Sequence, residues 1–263
     1  MSFVAAQLPH RVQPPLKMPL ASAFPQGFGS GCFSELLRQN ALVAVFALND
    51  WRAWTVDSLG ILDAHEHERV RRQRRERDRD RLALAYALHR LLLAQALGLV
   101  PARVPLARDA HGRPLLEGLQ VDTSLSHSDG HVAVAVSLHG PIGVDIEPVQ
   151  RVDAMADIAE RICHGDERTR IAGRRDAGRG AALLDLWVRK EAFLKAAGVG
   201  LAREMDTFAL PEGEPTALHP GRFMRVRTDL LDLGPDVVCA VSCRPDIVCV
   251  AGRPWPMGES AQP

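Results

Sequence analysis

The chain reads in two rhythms, unbroken apolar runs and helical stripes, and the changes between them mark its elements. Leu42 to Leu48 is a short, wholly apolar run of the kind that forms a strand buried on both faces. A second such run lies inside His131–Ser137, led in by Ser124–Ser128, and a third approaches Gly143. Asp63 followed by Glu66 makes a capping box, so a helix is predicted to start at Asp63. It is expected to run unbroken through an arginine-rich stretch into Leu82–Leu97 and to stop at Gly98. Further on, residues 150–186 read as helices with a polar, glycine-punctuated connection around Ile171–Gly180. Leu183 to Ala197 form a main helix, stopped by Gly198-Val199-Gly200-Leu201. Strands are expected at Phe208–Leu210, Phe223–Thr228, Asp236–Cys243 and Ile247–Val250.

This order predicts a mixed α+β chain in four parts. Residues 1–39 form a Pro/Gly-rich arm, 40–140 a first half, 141–250 a second half, and 251–263 a loose tail. No internal repeat is visible in the sequence.

The chemistry concentrates in two short stretches. In Gly143-Val144-Asp145-Ile146-Glu147, a strand end, the alternation of side chains puts Asp145 and Glu147 on one face. In the helix from Trp187 to Lys195, Trp187, Glu191 and Lys195 recur four apart on one stripe. If strand and helix pack together, three carboxylates and an ammonium converge, a set suited to a hard divalent cation beside a phosphate. Taken singly, each stretch has an ordinary alternative: a polar strand edge, and a surface Glu–Lys pair of a few tenths of a kcal/mol.

Composition narrows the function classes. Of 263 residues 46% are hydrophobic, and the formal net charge is zero, which argues against coating nucleic acid or anionic membrane through an overall field. The five cysteines fit no zinc spacing; with no membrane-length apolar run and no signal-peptide core, a cytoplasmic location is expected, and Cys239 and Cys243 should be buried thiols. Gly27-Phe28-Gly29-Ser30-Gly31 lacks the spacing and the lysine of a phosphate loop. Eight arginines fall between Arg69 and Arg81 without interleaved aromatics, so a solvated helix face outweighs a nucleic-acid stripe. Ser126 and His127 are neighbours on a strand and point opposite ways, which excludes a nucleophile–base pair.

Gly143-Val144-Asp145-Ile146-Glu147, followed about forty residues later by Trp187-x-x-Lys190-Glu191-Ala192-x-x-Lys195, resembles the Sfp-type 4′-phosphopantetheinyl transferase family. The resemblance covers about Leu62 to Cys243 and implies two similar halves related by a pseudo-twofold axis. It implies transfer of the 4′-phosphopantetheine arm of coenzyme A to a serine of an acyl or peptidyl carrier protein. Asp145, Glu147 and Glu191 would hold Mg2+ or Mn2+, with Glu191 and Lys195 catalytic. Coenzyme A would meet Arg69, Arg81, Arg113, Ser126, His127 and Lys195. Here Arg113 stands where the family has a lysine, in His111-Gly112-Arg113-Pro114. Another family lysine falls on Glu66, for which Arg71 or Arg72 would substitute. Trp187 is expected to pack beneath the motif. Arg168, Arg170, Arg174, Arg175 and Arg179 are the candidate face for an acidic carrier protein. The resemblance carries no nucleic-acid or membrane partner, and two halves in one chain suit a monomer. A nucleic-acid module, or a different Mg2+-dependent phosphotransferase, are the rival classes.

Overall fold

The computed structural model describes residues 18–28, 31–109, 112–174, 176–199, 203–219, 221 and 223–257. The main elements are helix α1 (Phe33–Gln39), strand β1 (Ala41–Ala47), helices α2 (Ala64–Arg71) and α3 (Glu76–Leu97), and strands β2 (Asp122–Ser128), β3 (His131–Ser137) and β4 (Gly143–Pro148). Helices α4 (Gly165–Ala172) and α5 (Asp176–Ala197) follow, then strands β5 (Arg225–Leu231), β6 (Val237–Cys243) and β7 (Cys249–Gly252).

Two four-stranded sheets result, in an α+β arrangement. One has the order β7-β1-β3-β2; the other runs β4-β6-β5 and ends on the short strand Thr216–Ala217. Helix α3 covers one face of the first sheet, meeting Leu42, Ala44, Phe46, Val132, Val134 and Val136. The alternate residues Ala41, Val43, Val45, Ala133 and Ala135 pack instead with Val144, Ile146, Val237, Cys239 and Val241 of the second sheet. Helix α5 covers the far face of that sheet. The strands are thus buried on both sides, which is why they read as unbroken apolar runs.

Four expectations are corrected. The helix predicted from Asp63 to Leu97 is two: α2 has the Asp63/Glu66 capping box, but the backbone breaks over 72–75 and α3 starts at Glu76. The arginines there offer no apolar stripe to hold a helix on the core, and Arg79 Nη1 donates to the carbonyls of Gln73 and Arg74 at the break. The arm is core from Leu20 onward, with Phe24, Phe33 and Leu37 buried; residues 1–17 lie outside the described part. The main helix starts at Asp176, not Leu183; Gly180, read as part of the connection, lies inside it, where a Cβ would collide with Val152. Phe208–Leu210 is not a strand.

Residues 249–252, divided in the sequence reading between second half and tail, form β7, which runs parallel to β1 in the first sheet. The second half therefore hands a strand back to the first. Met257 continues the return by donating its N–H to the Ala23 carbonyl at 2.7 Å. All five cysteines are free thiols, and burial pushes the Cys239 thiol far up and that of Cys243 up to about 11. Cys239 and Cys243 are buried as expected.

Candidate active site

Strand β4 is an edge of the second sheet and β2 an edge of the first, and side chains join them. Asp122, Ser124, Ser126 and Ser128 alternate along β2 and so share one face. Ser124 Oγ accepts the Val144 N–H (3.1 Å), Ser126 Oγ donates to Asp145 Oδ1 (2.7 Å), and Ser128 Oγ donates to Glu147 Oε2. Asp122 Oδ2 accepts the Ile142 N–H at 3.4 Å. The polar repeat of 122–128 is the seam between the halves.

Helix α5 reaches this seam because β4 begins with glycine. A Cβ on Gly143 would lie 2.0 Å from the Ala192 carbonyl oxygen and 2.4 Å from the Ala196 nitrogen. With Val144 and Ile146 turned to the first sheet, Asp145 and Glu147 face α5 and meet Glu191 and Lys195. Lys195 Nζ donates to Asp145 Oδ1 at 2.6 Å. Arg151, just past β4, donates to Glu147 Oε1 at 2.6 Å. Trp187 packs against the second core, as expected, and Arg151 lies over its ring.

Burial first, then the charges of Asp145 and Glu147, raise the Glu191 carboxyl to about 7, against the pull of Lys195 and Arg151. Glu191 is therefore poised to exchange a proton near neutrality. Asp145 Oδ2 is buried and has no hydrogen-bond partner. That orphaned oxygen, in a set of carboxylates, is what a hard cation would satisfy. As the side chains stand, serines, Lys195 and Arg151 occupy the other oxygens of Asp145 and Glu147. Among the described residues no three His, Cys, Asp or Glu side chains are grouped as a metal site.

Beside the seam opens a cleft of about 620 Å³, lined among others by Arg69, Arg72, Arg81, Tyr86, His127 and Ser128. The tight turn of the β2–β3 hairpin, Asp129-Gly130, forms its rim, with positive φ at both residues (37° and 92°). Arg69 Nε donates to the Tyr86 hydroxyl at 2.8 Å, and Arg81 reaches Asp129 at 3.3 Å. His127 projects among these groups. Desolvation chiefly, then the charges of Lys195 and Arg108, lower its pKa.

The structure thus brings Arg69, Arg81 and His127 to one cleft, and Asp145, Glu147, Glu191, Lys195 and Ser126 to the adjoining seam. Arg113 lies at the Asp122 end of the seam and not in the cleft. Its guanidinium is held by both oxygens of Asp122 at 2.8 Å and lies against Gly198, off the residues that line the cleft. Its neighbour His111 lies outside the described residues. Of the two arginines expected to stand in near Glu66, Arg72 lines the cleft. Glu66 itself is buried and pairs with buried Arg90 at 2.9 Å, which explains the acid at that position. Arg168, Arg170, Arg174 and Arg179 are exposed; Arg175 lies outside the described residues.

Sequence reasoning missed Lys190. It is fully buried, 2.6 Å from Glu167 Oε2, and its ammonium also donates to the carbonyls of Ile162, Met205 and Phe208. A signal was present: Lys190 falls on the apolar stripe of Leu183, Leu186, Leu194 and Ala197.

Residues 141–241 match the family model described as the 4′-phosphopantetheinyl transferase superfamily, and residues 50–139 match that described as 4′-phosphopantetheinyl transferase, N-terminal. Among curated relatives, the chain is 28% identical to the 4′-phosphopantetheinyl transferase gsp of Aneurinibacillus migulanus, over 48% of this chain and 52% of that one. It is 29% identical to the 4′-phosphopantetheinyl transferase HetI of Nostoc sp., over 63% and 68%. With a 4′-phosphopantetheinyl transferase of Bacillus subtilis the identity is 32%, over 47% and 54%. The chain spans about half the length of the first and third of these relatives and about two thirds of the second.

Proposed function

We propose that this chain, which belongs to the 4′-phosphopantetheinyl transferase superfamily, transfers the 4′-phosphopantetheine arm of coenzyme A to a serine hydroxyl of a carrier protein. The observation that carries the reading is the junction of two sites: a cleft with Arg69, Arg81 and His127, opening beside a seam with Asp145, Glu147, Glu191 and Lys195. The arginines suit the phosphates of the nucleotide end, and the acidic seam suits a cation at the diphosphate.

In the reaction the serine oxygen bonds to the β-phosphorus while the bond to the adenosine 3′,5′-bisphosphate leaving group breaks. Asp145, Glu147 and Glu191 would hold Mg2+ or Mn2+, which supplies charge neutralisation between the diphosphate oxygens. Glu191, buried beside Lys195 and Asp145, takes the proton of the serine hydroxyl. Lys195 sets a positive charge beside Asp145 and stabilises the leaving oxygens. Ser126 orients Asp145. His127 donates a hydrogen bond to a phosphate oxygen. Arg72 and Arg69 take the phosphate contact expected of Arg113.

The exposed Arg168, Arg170, Arg174 and Arg179 form the docking face for an acidic carrier of fatty-acid, polyketide or nonribosomal-peptide synthesis. Each half sets one long helix on one sheet, α3 on the first and α5 on the second, which supports a pseudo-twofold relation. A single copy carries the whole residue set, which suits a monomer. Free thiols suit a cytoplasmic setting, and no described helix is long and apolar enough to cross a membrane.

Intact-mass spectrometry of an apo carrier protein incubated with this chain, coenzyme A and Mg2+ tests the reading. The expected result is a gain of one phosphopantetheinyl arm, lost with EDTA or in Asp145→Ala. An active Asp145→Ala protein would refute the metal assignment. No gain with several carriers, and no binding of coenzyme A, would refute the transferase reading.

A further inference from the structure

We infer that Arg151 is an internal counter-ion that a divalent cation displaces from Glu147, and that Trp187 senses the exchange. The inference rests on the reading of Asp145, Glu147 and Glu191 as cation ligands. Both Glu147 oxygens are occupied: Oε2 accepts from Ser128, and Oε1 accepts from Arg151 Nη1 at 2.6 Å. Ser128 is neutral and can keep its bond while a cation binds. Arg151 cannot. A guanidinium and a divalent cation on one oxygen repel, and Oε1 is the oxygen that the arginine holds. The carboxylate itself is buried, whereas the Arg151 side chain is 38% exposed and free to swing outward.

The same guanidinium lies over the Trp187 indole, 5.3 Å from the ring centre. Trp187 is one helical turn before Glu191 on α5, so one side chain bridges the strand motif and the helix motif. In the absence of a divalent cation Arg151 holds down the negative potential of the carboxylates. A cation held by Glu147 would repel Arg151 and draw it off both the carboxylate and the indole. Cation affinity is then set by an exchange of charges and is weaker than the three carboxylates alone would give.

The test is a Mn2+ titration of the full chain without coenzyme A, with free Mn2+ counted by magnetic resonance and tryptophan emission followed in parallel. Wild type should bind Mn2+ with a change in emission, and Asp145→Asn should not bind. Arg151→Gln should bind about fivefold more tightly, as expected for removing a partly exposed ion pair, with no emission change. Trp187→Phe should keep the affinity and lose the signal. If Arg151→Gln binds Mn2+ no more tightly than wild type while Asp145→Asn abolishes binding, the displacement is wrong and the metal reading stands. If wild type shows no Asp145-dependent Mn2+ binding, both fall.

Discussion

Replacing Lys190 by methionine separates what the helix motif does for the fold from what it does for chemistry. Lys190 is 0% exposed, and its ammonium meets four acceptors: Glu167 Oε2 at 2.6 Å and the carbonyls of Met205 (2.7 Å), Ile162 (2.8 Å) and Phe208 (2.8 Å). Two backbone segments, at Ile162 and at 205–208, and α4 are thereby fastened to α5. Methionine fills similar volume but removes every donor. Glu167 would keep the N–H groups of Leu210 and His164, while its charge and the three carbonyls lose their partner. Removing one member of such a buried pair costs about 3–5 kcal/mol, or about 10 °C in Tm for a chain of this size. Urea unfolding of Lys190→Met, Glu167→Leu and the double variant measures this. The double variant should cost less than the sum of the singles, because it leaves no uncompensated charge. Folded Lys190→Met should still modify a carrier at a rate near wild type per folded molecule. A loss below about 1 kcal/mol, or a stable variant without transfer activity, would refute the reasoning.

Other consequences are as direct. Glu191 has a folded pKa raised from 4.5 to about 7, so its contribution to stability is full below pH 4.5 and is lost as pH rises through 7. Metal-free protein should therefore lose up to ~3 kcal/mol across that window, and Glu191→Gln should abolish the loss; an equal slope in the variant's urea midpoints would contradict this. Gly143→Ala drives a methyl into the α5 backbone and should cost about 1–3 kcal/mol by overpacking, with carrier modification impaired as α5 moves off β4; wild-type urea stability would contradict it. Arg69→Ala and Arg81→Ala should each raise the KM for coenzyme A with little change in kcat; unchanged steady-state KM would remove them from the binding cleft. Reversing charge at Arg170 and Arg174 should weaken carrier affinity, measured by titration calorimetry, and an unchanged affinity would move the docking face elsewhere.

The core of the site was legible because it depends on local periodicity. Alternation on a strand put Asp145 beside Glu147, helical spacing put Glu191 above Lys195, and both patterns survive in β4 and α5. What could not be read depends on partners distant in sequence. The sequence marks Arg113 as a cation on a tight turn but does not show that Asp122 holds it with both oxygens. The apolar stripe of α5 marks Lys190 as inward-facing, but not the carbonyls of Ile162, Met205 and Phe208 that receive its ammonium. The break between α2 and α3 went unseen because the capping rules locate starts, and nothing local marks where an arginine-rich helix loses the core beneath it. The serines of β2 showed a clear period, but the strand they would join belonged to another sheet.

The pairing of β7 with β1 has a bearing on how the protein is made. Ala41 and Cys249 are neighbours in the first sheet although about two hundred residues separate them. During synthesis β1 can meet β3 early, but its other edge stays open until β7 emerges. A nascent first half with an uncovered apolar edge can pair with another chain instead. The sheet that backs the arginine cleft is therefore completed late, and the second half is needed on the ribosome as much as in the reaction.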